Sequence, residues 1–318
     1  MDRQPHIVIP GGSGFLGRGL TAALRDRGCH VTILSRSDKR PSELPEDVRW
    51  LVWDADTLGE WASAIDGASA VVNLVGRSVD CRKTPENKRI ILESRVNSCR
   101  VLGEAMRAAE NPPPAWIQSA TAHIVGDPSP EDRICDETTP PGPMHEMAPY
   151  VGVEWEKAFE RAKLPAQRGV VLRISFVLGR GGGAAARLLK LTKLGLGGTV
   201  GTGRQWISWI HQDDLNRLIV EAIEDTSYEG MYMATGPEPV TNRRFMQALR
   251  RACGRPWSPP APAIGVRLAC RFLLKTDPEL ALLGRRCVPT RLLDEHAFVF
   301  RFAGLDDALA DLCRRTTA

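Results

Sequence analysis

The residues best suited to chemistry stand in four short stretches of this chain. The first is glycine-rich: Gly11, Gly12, Ser13, Gly14, Phe15, Leu16 and Gly17, where Gly11-x-x-Gly14-x-x-Gly17 overlaps Gly12-x-Gly14-x-x-Gly17. An apolar run, His6 to Ile9, precedes it, and Leu20, Ala23 and Leu24 follow on one helical face. The context is therefore strand, tight turn, helix. Such a turn lets backbone N–H groups approach a pyrophosphate at the positive end of a helix, which is how dinucleotides are held. The second stretch is Arg36, at the end of the next strand, with Lys39 and Arg40 close behind. An acidic residue here would bridge the ribose 2′-hydroxyl of NAD, whereas a guanidinium grips a 2′-phosphate and stacks on adenine, so NADP(H) is favoured. A solvated basic loop is the plain alternative. The third stretch, Ser119-Ala120-Thr121-Ala122-His123, ends an apolar run, and the fourth places Tyr150 ahead of Trp155-Glu156. An imidazole with an ordinary pKa near 6.5 is suited to acid–base work at neutral pH, though a lone histidine after a strand also serves as a structural hydrogen-bonder.

These residues need a scaffold, and the apolar patterning supplies one. Strands are expected at His6–Ile9, Cys29–Leu34, Val48–Trp53, Ala70–Gly76, Ala115–Ser119 and Val170–Gly179, with a last core strand at Met231–Ala234. Helices are expected after the glycine turn, at Leu58–Ile65, at about Pro85 to Ala109 and at Tyr150–Ala162. Asn111-Pro112-Pro113-Pro114 stops the long one firmly. Residues 128–148 read as a loop. Alternation of strand and helix with right-handed crossovers predicts an α/β fold, a Rossmann-type doubly wound parallel sheet. In such a sheet, ligands bind at the C-terminal strand ends. That edge receives Asp54, either an acceptor for the adenine amino group or a turn aspartate. It also receives Leu74, Val75 and Gly76, passing beneath the cofactor, and Ser119. From Arg180 the chain becomes glycine-rich. Asp213 or Asp214 is expected to cap the helix carrying Leu218, Ile219 and Ala222, and Thr241 the next. The expected division is a cofactor domain of residues 1–180 plus 207–235 and a smaller, mainly helical substrate domain of residues 181–206 plus 236–318.

The bulk properties exclude several classes. A net charge of +4 with both signs interspersed is too mild to argue by itself for nucleic acid or a membrane. No apolar run approaches a membrane span, and no signal peptide is expected. Eight scattered cysteines lack a C-x-x-C pair or metal-ligand spacing, which fits a cytoplasmic protein with reduced thiols and no metal. The expected partner is a small-molecule substrate, with the chain a monomer or homodimer.

Taken together, the motifs resemble the extended short-chain dehydrogenase/reductase superfamily and, within it, the YfcH-like group of nucleotide-sugar epimerase-like proteins. The matching pieces are Gly11 to Gly17, Asn73-Leu74-Val75-Gly76, Ser94-Arg95-Val96, Ser119-Ala120-Thr121-Ala122, Trp155-Glu156, Leu194-Gly195-Leu196-Gly197-Gly198, Gly203-Arg204-Gln205-Trp206 and Ser208 to Leu215. Pro289-Thr290-Arg291-Leu292-Leu293 looks like that group's C-terminal extension. The resemblance implies an NADP-type cofactor and an oxidoreductase or epimerase acting on a carbonyl or sugar-nucleotide-like substrate. It also implies that Thr121 hydrogen-bonds the substrate oxygen and that Phe176 and Val177 flank the nicotinamide. The superfamily's Tyr-x-x-x-Lys pair is absent: Glu154 stands four residues after Tyr150, and the family register puts the usual lysine at Gly152 and the usual tyrosine near Ala148. The acid–base group is then His123, Tyr150 or a bound water. A non-catalytic NADP-binding regulatory or redox-sensing module is the rival reading.

Overall fold

Seven parallel strands form the backbone of the molecule, and their C-terminal ends lie along one edge of the sheet. The computed structural model describes residues 4–127 and 133–314. Its first half runs β1 (His6–Pro10), α1 (Phe15–Asp26), β2 (His30–Ser35), β3 (Arg49–Val52), β4 (Ala70–Asn73), α2 (Pro85–Ala108) and β5 (Ala115–Thr121). A two-residue strand β6 (Ile134–Cys135) follows, then α3 (Met147–Ala162), β7 (Arg168–Ile174), β8 (Phe176–Leu178) and α4 (Gly183–Lys193). After these come β9 (Trp206–Ile207), β10 (Trp209–His211), α5 (Gln212–Glu224), β11 (Gly230–Ala234), β12 (Val240–Thr241) and α6 (Asn242–Ala252). The chain closes with α7 (Ala263–Ala269), α8 (Glu279–Leu282), β13 (Arg286–Cys287), α9 (Thr290–Asp294) and α10 (Leu305–Cys313).

The sheet order is β11-β7-β5-β4-β1-β2-β3, parallel throughout. Strand order reverses between β1 and β4, which opens a crevice at their C-terminal ends. Alternate side chains of β1 serve opposite faces. Ile7 and Ile9 pack with Leu20 and Leu24 of α1 and with Leu215, Leu218 and Ile219 of α5. Val8 packs on the other side, with Leu102 of α2 and with Trp116 and Phe159, whose rings meet edge-on at 5.0 Å. The long α2 starts where Thr84 accepts the Asn87 N–H and Pro85 fills the first turn.

Three local expectations are corrected. The run 170–179 is not one strand: at Ser175 the N–H and hydroxyl both go to the Ala234 carbonyl (3.2 and 3.3 Å). β8 then turns away to pair with β10. Neither Asp213 nor Asp214 caps α5. The Nδ1 of His211 accepts the Asp213 N–H at 3.2 Å, while the buried Asp214 carboxylate accepts the N–H groups of Arg301 and Phe302 at 2.6 and 3.0 Å. The stretch 128–148 is not all loop, since β6 pairs with β13 and α3 begins at Met147; residues 128–132 lie outside the described residues. Thr241 does cap α6, accepting the Arg244 N–H at 3.4 Å. No described helix is long and apolar enough to cross a membrane.

Candidate active site

The glycine turn joins β1 to α1 at the crevice. Gly11 has φ +77°, a left-handed backbone that only glycine adopts without strain, and a Cβ there would stand 2.9 Å from the Leu74 carbonyl. Gly17 is the second requirement. A Cβ on it would lie 2.4 Å from the Gly12 Cα, so the helix can press onto the turn only without a side chain. Gly14 is the first flanking residue of α1, where no side chain caps the helix and no acidic residue occupies the first turn. The opening N–H groups of α1, from Phe15, Leu16 and Gly17, are thus left for an anion. The Phe15 ring packs beside Gly179 and Gly182, Leu16 is half-buried against the core, and Ser13 accepts from the Ser35 hydroxyl at 3.3 Å. Around the crevice, the Leu74 N–H donates to the Pro10 carbonyl (2.9 Å) and the Val75 N–H to Asn73 Oδ1 (3.1 Å). Gly76 is exposed.

Arg36 projects from the end of β2 as an exposed side chain, and no hydrogen bond or ion pair from the described residues engages its guanidinium. Arg40 is different: it is spent on the carbonyls of Leu44, Pro45 and Val48. Asp54 uses both carboxylate oxygens in its own turn, accepting the Asp56 and Thr57 N–H groups at 2.8 Å and the Thr57 hydroxyl at 2.5 Å. Ser119 donates its hydroxyl to the Asn73 carbonyl at 2.8 Å, and Val177 is half-buried on β8.

Thr121 ends β5. Its Oγ1 accepts the His123 N–H at 3.2 Å, and no acceptor among the described residues takes the hydroxyl proton. His123 meets a residue that sequence spacing did not nominate, the buried Arg285. Arg285 donates from Nε to the Gly126 carbonyl (2.7 Å) and from Nη1 to His123 Nδ1 (3.1 Å). A guanidinium can only donate, so Nδ1 is the acceptor and the ring proton sits on Nε2. Burial first, then the positive charges of Arg285 and Lys83, push the imidazole down to about 3. His123 is therefore a neutral hydrogen-bond donor at neutral pH, not the base that an ordinary pKa would allow. Tyr150 is brought to neither: it is 43% exposed, a half-turn round α3 from the buried Gly152 and Trp155.

A comparison with known proteins decides which family this geometry serves. The model of the NAD dependent epimerase/dehydratase family matches residues 7–232. The chain belongs to that family. Its relatives include epimerase family protein SDR39U1 of Mus musculus, 34% identical over 96% of this chain and 99% of the relative. Another is YfhF of Bacillus subtilis, 30% identical over 96% and 97%. Among solved structures, human epimerase family protein SDR39U1 with NADPH superposes with a TM-score of 0.84 at 30% identity, covering 97% of this chain and 99% of that one.

Gly152 is the position at which the resemblance to this family expects a lysine. A Cβ on Gly152 would stand 3.0 Å from the Ile124 side chain, so a larger residue there would require Ile124 to shift. A cation of α2 packs on the neighbouring Trp155. The Arg95 guanidinium lies 4.8 Å over the Trp155 ring, donates to the Ile91 and Arg77 carbonyls at 2.9 and 3.2 Å, and backs onto Gly76. Burial lowers it to about 10. The other half of the motif, Glu156, clamps the buried Arg173 of β7 with two bonds of 2.7 and 2.8 Å. Trp155-Glu156 thus ties α3 to α2 on one side and to the sheet on the other.

Proposed function

We propose that this protein is an NADP(H)-dependent oxidoreductase or epimerase acting on a small carbonyl or sugar-nucleotide-like substrate. The cofactor would be held by Gly11 to Gly17, Leu74 to Gly76 and Val177, with Arg36 to receive the 2′-phosphate. Residues 1–180 plus 207–235 hold it, and residues 181–206 plus 236–318 close over the substrate. Bound NADP(H) supplies hydride transfer. Thr121 donates its free hydroxyl proton to the substrate oxygen, and His123 Nε2–H stands as a second neutral donor. Proton exchange with solvent then runs through water rather than through the tyrosine of the Tyr–Lys pair. The setting that belongs to this reading is the reducing cytoplasm, where the eight cysteines would stay thiols.

The observation that carries this reading is a single crevice offering an uncapped, glycine-lined helix start and, two strands away, a threonine hydroxyl with an unspent proton. The test is transfer of deuterium from NADPH labelled at the reactive carbon to a panel of aldehydes, ketones and oxo-sugar nucleotides, read by mass spectrometry. An epimerase is read here through its reductive half-reaction, in which the oxo-sugar nucleotide takes up the label and NADP+ is formed. Thr121→Val is expected to slow transfer by ~10²-fold with NADPH affinity unchanged. NADPH binding without transfer to any of the panel would reject the enzymatic part of the reading and leave a nucleotide-binding module.

A further inference from the structure

Two segments without a single acidic residue meet on the surface of the C-terminal region. Residues 181–212 contain Arg187, Lys190, Lys193 and Arg204, and residues 239–276 contain eight more arginines and lysines, with no Asp or Glu in either. The whole chain is only +4, so everything outside these segments is net −8. The fold lays the two segments side by side. The Gly201 N–H donates to the Ala261 carbonyl and the Ala261 N–H to the Thr199 carbonyl, both at 2.9 Å. Arg255 reaches across to the Lys193 carbonyl at 2.6 Å.

The apolar side chains of this surface face outward. Leu194, Leu196 and Trp257 are 67%, 59% and 71% exposed, and Ile264, Leu268 and Phe272 are 71%, 53% and 68% exposed. The last three recur every four residues along α7 and the turn that continues it, a single stripe, with Arg267 and Arg271 along its edge and Cys270 buried behind. Lys190, Lys193, Arg255, Arg267, Arg271 and Lys275 are exposed and form no ion pair among the described residues. One exposed leucine is ordinary, but six large apolar groups gathered in adjoining segments mark an interaction surface.

The chemistry of the rim chooses the partner. Nucleic acid would use the cations but has no use for Ile264, Leu268 and Leu194, whereas an apolar stripe edged by Arg and Lys matches the boundary between lipid headgroups and acyl chains. We propose that this face docks in the plane of an anionic lipid surface. Trp257, Leu268 and Phe272 enter the headgroup boundary, and the surrounding cations meet lipid phosphates. The contact lies on the bilayer and does not span it. It adjoins the crevice, because Arg82 in the loop after β4 donates to the Arg271 carbonyl at 2.8 Å and Asp80 of that loop pairs with Arg187.

Full-length protein sedimented with vesicles tests this. Expected is at least ~10-fold tighter binding to vesicles of equal phosphatidylcholine and phosphatidylglycerol than to phosphatidylcholine alone, falling ~10-fold or more as salt rises from ~50 to ~500 mM. Arg267→Glu with Arg271→Glu and Lys275→Glu should remove binding, and Leu268→Ser with Phe272→Ser should weaken it ~10-fold. All five positions are exposed, so an unchanged thermal unfolding profile verifies that each variant is folded. No binding, equal binding to both vesicles, or variants that bind like the parent would overturn the proposal. Two further results would also overturn it: binding to duplex DNA or single-stranded RNA that exceeds lipid binding and ignores the serine variant, or self-association that the serine variant abolishes without lipid being bound.

Discussion

Replacing His123 with glutamine should change how stability depends on pH, and the size of the change follows from the site. The half-buried ring is desolvated, accepts at Nδ1 from Arg285 and feels the charge of Lys83, which together hold it near 3. In the unfolded chain an imidazole titrates near ~6.5. As pH falls through that value, the unfolded chain takes up a proton that the folded site refuses. The stabilisation is therefore complete above ~6.5, declines below it, and is lost as pH reaches the folded value. Between pH ~7.5 and ~5 the loss amounts to about 2 kcal/mol, from 1.36 kcal/mol per unit acting over roughly 1.5 units. Glutamine keeps an acceptor for Arg285 but cannot titrate. Urea unfolding of parent and His123→Gln at pH ~7.5, ~6 and ~5 reads the effect. The stability difference between the two proteins should shift by about 2 kcal/mol in favour of the variant across that range. Parallel pH profiles would mean that His123 protonates in the folded protein, and the assignment of His123 as a neutral Nε2–H donor would fall with them.

Other expectations rest on separate features. Arg36→Ala should weaken NADPH by ~10- to 100-fold in a fluorescence titration while leaving NADH within ~2-fold, since one charge-assisted phosphate contact contributes about 1.5–3 kcal/mol; equal loss for both would show that Arg36 does not read the 2′-phosphate. Gly17→Ala should abolish measurable cofactor binding, because its Cβ meets the Gly12 backbone at 2.4 Å and α1 must move away from the turn; retained affinity, measured by calorimetry, would contradict the close approach. Glu156→Ala should destabilise the fold by about 3–5 kcal/mol in urea, because the buried Arg173 is left without its carboxylate; a loss under about 1 kcal/mol would show that the clamp is solvated.

Much of the scaffold was legible because its signals are local. Val8 between Ile7 and Ile9, the glycines at 11, 14 and 17, and the proline stop after α2 each act within a few residues, and the parallel pairing of the sheet follows from strand–helix alternation. Local patterning failed where a distant partner competes for the backbone. Ser175 looks like the middle of a strand, yet its N–H is taken by Ala234, so the chain leaves the sheet there. Asp213 and Asp214 are ordinary caps by type, but Asp214 is claimed by Arg301 and Phe302 and the cap passes to His211.

The candidate site divides along the same line. The residues alone determined a glycine turn between strand and helix, an arginine at the end of β2, a threonine at the end of β5 and the loss of the Tyr–Lys pair, because each depends on identity and short spacing. Only the tertiary structure decided what His123 is. Its partner Arg285 lies 162 residues away, and the β6–β13 pairing places that segment beside the loop after β5. Nothing within hydrogen-bonding range along the chain specifies which ring nitrogen carries the proton; burial and a guanidinium from the far end of the chain do.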